Sequence, residues 1–307
     1  MHIDKDSKVI LLPETASPTE FKLIQLPISN NLNQTKSYLY EPISTTIYEL
    51  NQIRSIESAK LKSGDAVKSF IIESGNSDGA IIQSPRTIIS SKFNLCYLLI
   101  SSLYGQKNDT RFITIDDFMD RLTWSQNLPE SVLISALEKV CEELNNDDVT
   151  FYKFSIEKSL LFINEKILAL VDFIANQPNS IIDKIKAELT DPTNTTTEEI
   201  PQDILNQLIL QYAIDYVCST YIEDSNFKQD LINKFEYKFD QVEKYLVEIR
   251  EKQKSLALVE ANMNEVINST IKNRNKEKEQ VKKSTKKIQV KKVAVGKGAL
   301  DGFFKRA

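Results

Sequence analysis

The stretch from residue 8 to about residue 90 constrains the fold more than any other. Its runs VILLP, FKLIQLPI, SYLYEP, TIYELNQIRSI, KSFIIES and GAIIQSP are β-branched and aromatic, parted by Pro, Asn, Gly and Ser. That is the pattern of short strands and turns. Successive side chains of a strand point to opposite faces. Phe21, Leu23 and Gln25 therefore fall on one face, and Lys22, Ile24 and Leu26 on the other. Both faces are largely apolar, so both must be covered, and the segment contains no helix to cover them. An interleaved barrel with another chain is one solution; a sheet packed on the helices that follow is another.

From Ser90 the period becomes helical, with Phe93, Cys96, Tyr97, Ile100 and Leu103–Tyr104 on one face until GQKND breaks it. Thr114 to Asp117 has the capping-box pattern and opens a short helix through Leu122. Pro129 starts another at a first-turn position, with Leu133, Ala136–Leu137, Val140 and Leu144 on one side. The strand-like VTFYKF follows NNDD, and then a long helix with Ile156, Leu160, Ile163, Ile167, Val171 and Ile174 on its face. This order fits a winged-helix-like unit and equally a helical bundle with one β-arm. Residues 178–199 read as a polar, proline-interrupted linker, and Ile200 to Ile222 as an amphipathic helix. From Phe227 a regular stripe of Leu231, Phe235, Phe239, Val242, Leu246 and Ile249 predicts a docking helix. Two clean heptads are short of a long coiled coil. The expected organisation is α+β: a β domain (1–90), a helical domain (91–177), the linker, a charged helical extension (200–271) and a basic, disordered tail (272–307).

Catalytic chemistry finds little to work with. The single histidine, His2, sits at the chain end, which excludes Ser–His and Cys–His nucleophile systems. There is no glycine-rich phosphate loop and no Cys/His cluster with zinc spacing. Asp116–Asp117 and Asp147–Asp148 could hold magnesium, but their contexts are a helix first turn and an inter-element turn, where Asp serves local hydrogen bonds. No metal and no cofactor is expected on this chain. Cys96, Cys141 and Cys218 lie far apart in apolar helical patterns and suit a reducing compartment as small hydrophobes. No run of about 18 apolar residues occurs, and MHIDKDSK lacks the layout of a signal peptide, so no membrane partner is expected.

Charge is distributed unevenly. Lys272 to Ala307 holds 13 basic and 3 acidic residues; the rest of the chain holds 26 basic and 40 acidic. An acidic body is a poor nucleic-acid grip, whereas the tail alone could attract phosphate. In KKSTKKIQVKK, Lys282, Lys283, Lys286, Lys287, Lys291 and Lys292 suit phosphate contact or nuclear import, hence a nuclear location. The chain then ends GKGALDGFFKRA. In a one-turn 3₁₀ helix Leu300 and Phe303 eclipse, with Phe304 beside them, making an apolar plug. Burying the three is worth roughly 1.5–3 kcal/mol each. Ordering the segment takes back about 2–5 kcal/mol, which leaves a weak contact suited to a multivalent assembly.

Leu300, Phe303 and Phe304 match the hydrophobic positions of the motif Q-x-x-h-x-x-a-a that docks on the sliding clamp PCNA, with Lys297 in place of the leading Gln. The body resembles the non-catalytic B-subunit family of eukaryotic ribonuclease H2. The likeness runs through FKLIQLP, SYLYEP with IYELNQI, KSFIIESGNSDGAIIQSP into FNLCYLLISSLY, then FYKFSIEKSLLFINEKI and QLILQYAIDYVCSTYI. It covers nearly the whole chain except about Phe227 to Lys272. The resemblance implies that the β strands interleave with a C subunit in a shared barrel. It further implies that this barrel holds an A subunit carrying an acidic, magnesium-dependent site. The complex would cut RNA in RNA–DNA hybrids and remove ribonucleotides misincorporated in DNA. Two other readings stand beside it: a winged-helix DNA-binding regulator built on residues 111–175, and a coiled-coil scaffold on residues 227–270.

Overall fold

The structure, a computed structural model, describes residues 8–14, 20–53, 62–63, 69–74, 77–83, 86–146, 149–176, 180–191 and 200–285. Contacts group the chain into two units, Met1–Glu188 with Pro201–Val242, and Leu189–Ile200 with Glu243–Ala307.

The first unit begins with strands β1 (Lys8–Leu11), β2 (Lys22–Ile28), β3 (Asn31–Glu41), β4 (Thr46–Gln52), β5 (Ser69–Ser74), β6 (Ser77–Gln83) and β7 (Arg86–Phe93). Five of them form one sheet in the order β1-β7-β4-β3-β2, while β5 and β6 pair as a separate hairpin. All ladders are antiparallel except β1 on β7. Ile24 opposes Tyr38, and Tyr40 opposes Ile47, which opposes Phe93. With Leu26 these residues make the face that joins the main core. The β3–β4 turn puts Thr45 in the left-handed region (φ 52°), unusual for a β-branched residue. Its neighbours hold it: Ser44 Oγ donates to Glu41 Oε2 (2.6 Å) and the Tyr48 hydroxyl donates to the same oxygen (3.2 Å). The buried Glu41 is thereby satisfied.

Asn94 caps the next element, accepting from Cys96 N (3.0 Å), so α1 spans Leu95–Leu103. Phe93, expected on the helix, instead ends β7, because its ladder to Ile47 continues up to the cap. Helix α1 is apolar nearly all round, as a helix buried on all sides must be. Leu95, Cys96, Leu98, Leu99, Ile100 and Leu103 are all buried.

Helix α2 (Ile115–Arg121) starts at the predicted capping box: Thr114 and Asp117 each satisfy the other's backbone N–H. Helix α3 (Glu130–Val140) follows, then β8 (Cys141–Asn146), β9 (Val149–Phe154) and α4 (Ile156–Asn176). β8 and β9 pair in register from Cys141↔Phe154 to Asn146↔Val149, and Ile113 bridges Tyr152 as a third strand position. Helix, bridge, two helices and a hairpin make a winged helix, which decides against a bundle with one arm. Leu144, expected on the helix face of α3, lies in β8 instead. Its partner Phe151 offers a cross-strand site that outweighs helix propensity.

Helix α5 (Ser180–Leu189) occupies part of the expected linker, with Ile182, Ile185 and Leu189 buried at helical spacing. Helix α6 (Gln202–Tyr221) matches the prediction and packs on α4. Its C-terminal end is tied to the β2–β3 turn: Asn30 Nδ2 donates to Ser219 O (3.0 Å), and Leu32 N donates to Glu223 Oε1 (3.1 Å). Tyr97 stacks on Tyr221 with ring centroids 4.3 Å apart. The stripe predicted as one docking helix is two helices. α7 (Ser225–Lys234) stops at Phe235, Glu236 turns in the left-handed region (φ 52°), and α8 (Asp240–Thr285) begins afresh. The break lets Phe235 stack on Tyr237, with Phe239 tilted beside it, all against the core.

Helix α8 carries the second unit. Within that unit the Tyr245 hydroxyl donates to Leu189 O (3.4 Å), and Lys252 pairs with Asp191. The helix runs past Lys272, where disorder was expected, to Thr285. The reason is propensity: Lys, Glu and Gln are good helix formers even without an apolar face. Among the described residues no helix is long and apolar enough to cross a membrane.

Candidate functional site

Of the tail residues singled out, Lys282 and Lys283 lie in the last turn of α8. Lys286, Lys287, Lys291, Lys292, Lys297, Leu300, Phe303 and Phe304 lie outside the described residues, as do Asp147 and Asp148. The surface that the described residues do present is the second face of the five-stranded sheet.

That face is built by alternation. Leu23 opposes Leu39, which opposes Tyr48; Leu50 follows two residues on, and Ile88 opposes Ile10 at the far strand. Leu39 and Tyr48 are buried, yet neither belongs to the main core cluster. Phe21 meets the Tyr48 ring edge-on at 5.9 Å. Toward the edges the cover gives out: Leu23 is 63% exposed and Ile10 is 41% exposed. The β5–β6 hairpin repeats the theme, with Ile71 and Ile81 directly opposed and 66% and 64% exposed. Among the described residues β2 and β1 each have one unpaired edge. An apolar sheet with open edges invites pairing by another chain.

The winged helix offers the opposite chemistry. The outward residues of α3 are Glu130, Ser131, Ser135, Glu138 and Lys139; the hairpin adds Glu142, Glu143, Leu144, Asn145 and Asn146. A helix and wing that grip phosphate need a basic face, and this one is acidic. The cleft between α3 and α4, about 360 Å³, sets Lys139, Lys158 and Lys166 among Glu138 and Glu165. Lys158 Nζ is engaged, donating to Cys141 O (2.5 Å).

The three thiols and the Asp116–Asp117 pair serve the fold. Burial pushes the thiol of Cys96 up to about 11 and those of Cys141 and Cys218 up to about 12, which leaves them poor nucleophiles. Asp116 and Asp117 occupy the first turn of α2, where the helix dipole favours them. Among the described residues no group of His, Cys, Asp and Glu is placed to hold a metal ion. One polar cluster joins the turn after α1 to α7. The Tyr104 hydroxyl donates to Asp230 Oδ2 (2.6 Å), and Lys107 Nζ reaches the same oxygen (3.1 Å). The Tyr104 hydrogen bond first, then the lysine, holds the Asp230 carboxyl below the usual carboxylate range.

A sheet whose second face is covered at its centre but apolar and exposed toward its edges, joined to a winged helix whose described outward residues are mostly acidic or neutral, defines a class of protein: an assembly subunit. Comparison with known proteins gives the family. Residues 11–94 match the Ydr279p protein triple barrel domain, and residues 97–232 match the wHTH domain of the Ydr279p protein family (RNase H2 complex component). The chain is also 25% identical over 367 aligned positions to the B subunit of ribonuclease H2 from Saccharomyces cerevisiae (strain ATCC 204508 / S288c), covering 99% of each chain. The chain belongs to the Ydr279p family of RNase H2 complex components. Membership implies partnership with other RNase H2 subunits. The sequence pattern marks both sheet faces as apolar, but does not single out Leu23, Ile71 and Ile81 as the exposed residues. Only the strand pairing tells covered from uncovered.

Proposed function

We propose that this chain is the non-catalytic B-type subunit of a heterotrimeric RNase H2. On this reading the complex degrades RNA in RNA–DNA hybrids and removes ribonucleotides misincorporated in DNA. The observation that carries the proposal is the exposed apolar surface of the β domain, Leu23 on the five-stranded sheet and the Ile71–Ile81 pair on the separate hairpin, with open sheet edges, in a chain of this family. In this reading an accessory C subunit completes the β domain. A catalytic A subunit carries the magnesium-dependent acidic site, and nucleic acid is met through the assembled complex. The acidic face of the winged helix disfavours a DNA-binding regulator. The test is purification of the chain alone and with its partners. Alone it should have no nuclease activity and poor solubility; an active, well-behaved monomer overturns the reading.

The C-terminal segment supplies an address in the same proposal. Leu300, Phe303 and Phe304 would enter the clamp PCNA, with Lys297 at the first motif position, and the lysines from Lys282 to Lys292 would favour the nucleus and the DNA close to the clamp. In the assembled complex Phe303→Ala with Phe304→Ala should abolish clamp binding in a titration and spare cleavage of a hybrid. Unchanged clamp affinity refutes this part alone.

A further inference from the structure

One surface of α8 is apolar and not covered by the described residues of this chain. Beyond the buried Ile249, the helix exposes Val259 (53%), Met263 (59%), Val266 (63%) and Ile267 (50%), with Leu256 half-buried before them. At 3.6 residues per turn these five fall within an arc about 100° wide. The stretch Ser255–Thr270 holds two acidic residues, Glu260 and Glu265, and no basic one. It is about two heptads long, short for a self-sufficient coiled coil, so its size suits a brief segment.

We propose that this stripe is a dock for the chain's own C-terminal plug, Leu300, Phe303 and Phe304, which exchanges between α8 and an external partner. The proposal rests on reading the plug as an apolar binding element, and not on which partner it meets. Reach supports it. The stripe lies 18 to 29 residues before Thr285 on α8, or about 27–44 Å at the helical rise. The 15 residues from Lys286 to Leu300 span at most about 50 Å when extended, enough to fold back over the whole stripe with little to spare. Charge at the plug supports it as well: Gly296 to Ala307 holds three basic residues and one acidic, opposite in sign to Ser255–Thr270. The same groups that bind outside would be covered inside. A latch closed about nine times in ten weakens external binding about tenfold, because affinity scales with the open fraction.

The test is an intrachain distance in the assembled complex. Spin labels go on Ala261→Cys, off the stripe, and Arg306→Cys; the native cysteines are buried and label slowly. A latched tail places the labels within about 25 Å, given the helix diameter and the stripe's length. A free tail of 21 residues beyond a 24-residue stretch of helix gives a broad distribution near about 45 Å. The expected result is a short-distance population that Met263→Glu, and separately Phe303→Ala with Phe304→Ala, convert to the long one. A distribution near 45 Å that neither change alters overturns the proposal. So does a short distance that vanishes on dilution with unlabelled complex, which would assign the stripe to a second copy. A peptide of residues 296–307 titrated with PCNA tests the clamp reading separately. If that peptide binds, Met263→Glu should also tighten clamp binding by the full complex about tenfold; unchanged affinity there counts against the latch.

Discussion

Replacing Leu23, Ile71 and Ile81 together by Asp should break assembly while leaving the chain's own fold intact. Each side chain is about two-thirds exposed, at 63%, 66% and 64%, so most of its apolar surface is still to be covered. Full burial of such a residue is worth roughly 1.5–3 kcal/mol, and two-thirds of that is about 1–2 kcal/mol each. The three together account for about 3–6 kcal/mol, or about 10²- to 10⁴-fold in affinity. The true loss should exceed this, since an aspartate buried without a partner adds its own desolvation cost. The assay is competition: tagged wild-type chain and untagged variant are co-expressed with the partner subunits, and their ratio in the purified complex is measured. Exposed substitutions rarely shift stability by more than about 0.5 kcal/mol, so circular dichroism should show an unchanged fold. A triple variant that assembles within about threefold of wild type refutes the reasoning, because apolar docking positions cannot be buried with three carboxylates.

Three further outcomes test the packing that positions this surface. Phe227 is fully buried, with its ring 5.3 Å from that of Tyr104. Phe227→Ala should lower stability by about 3–5 kcal/mol in chemical denaturation of the complex, and a loss under about 1 kcal/mol would refute the packing of α7 against Tyr104. A thiol reagent at pH 8 should modify none of Cys96, Cys141 and Cys218 quickly in the native protein and all three in denaturant, because burial raises every one of them; one fast native thiol contradicts that burial. Asp230 has a lowered folded value, so its stabilisation is full above the ordinary carboxylate range, about 4, and is lost as pH falls through the folded value. The stability gap between wild type and Tyr104→Phe should therefore narrow below about pH 4, and a gap that widens there contradicts the hydrogen bond.

Much of this molecule is legible in its sequence where the cause is local. The capping box at Thr114 and Asp117 satisfies its own helix end, and it appears where the pattern places it. The strands β1 to β6 follow from β-branched runs between turn residues. Distant pairing decides the rest. Cys141–Leu144 reads as a continuation of α3 until β9 arrives to pair with it. Phe93 carries the helical period but finds its partner in Ile47. The regular stripe from Leu231 to Ile249 spans two helices because a left-handed turn at Glu236 brings three aromatic rings together in series. Of the site, the apolar character of both sheet faces is visible, since alternation is local. Which face stays open depends on where α1 packs, and no period reports that.

The most direct test of the central claim is affinity purification of the full chain from its own cells, with every partner identified by mass and the eluate assayed on an RNA–DNA hybrid. The expected result is a stoichiometric complex with RNase H2 subunits that cleaves the hybrid, while the chain purified alone does not. A chain recovered without those subunits, or one that cleaves the hybrid by itself, would contradict the account.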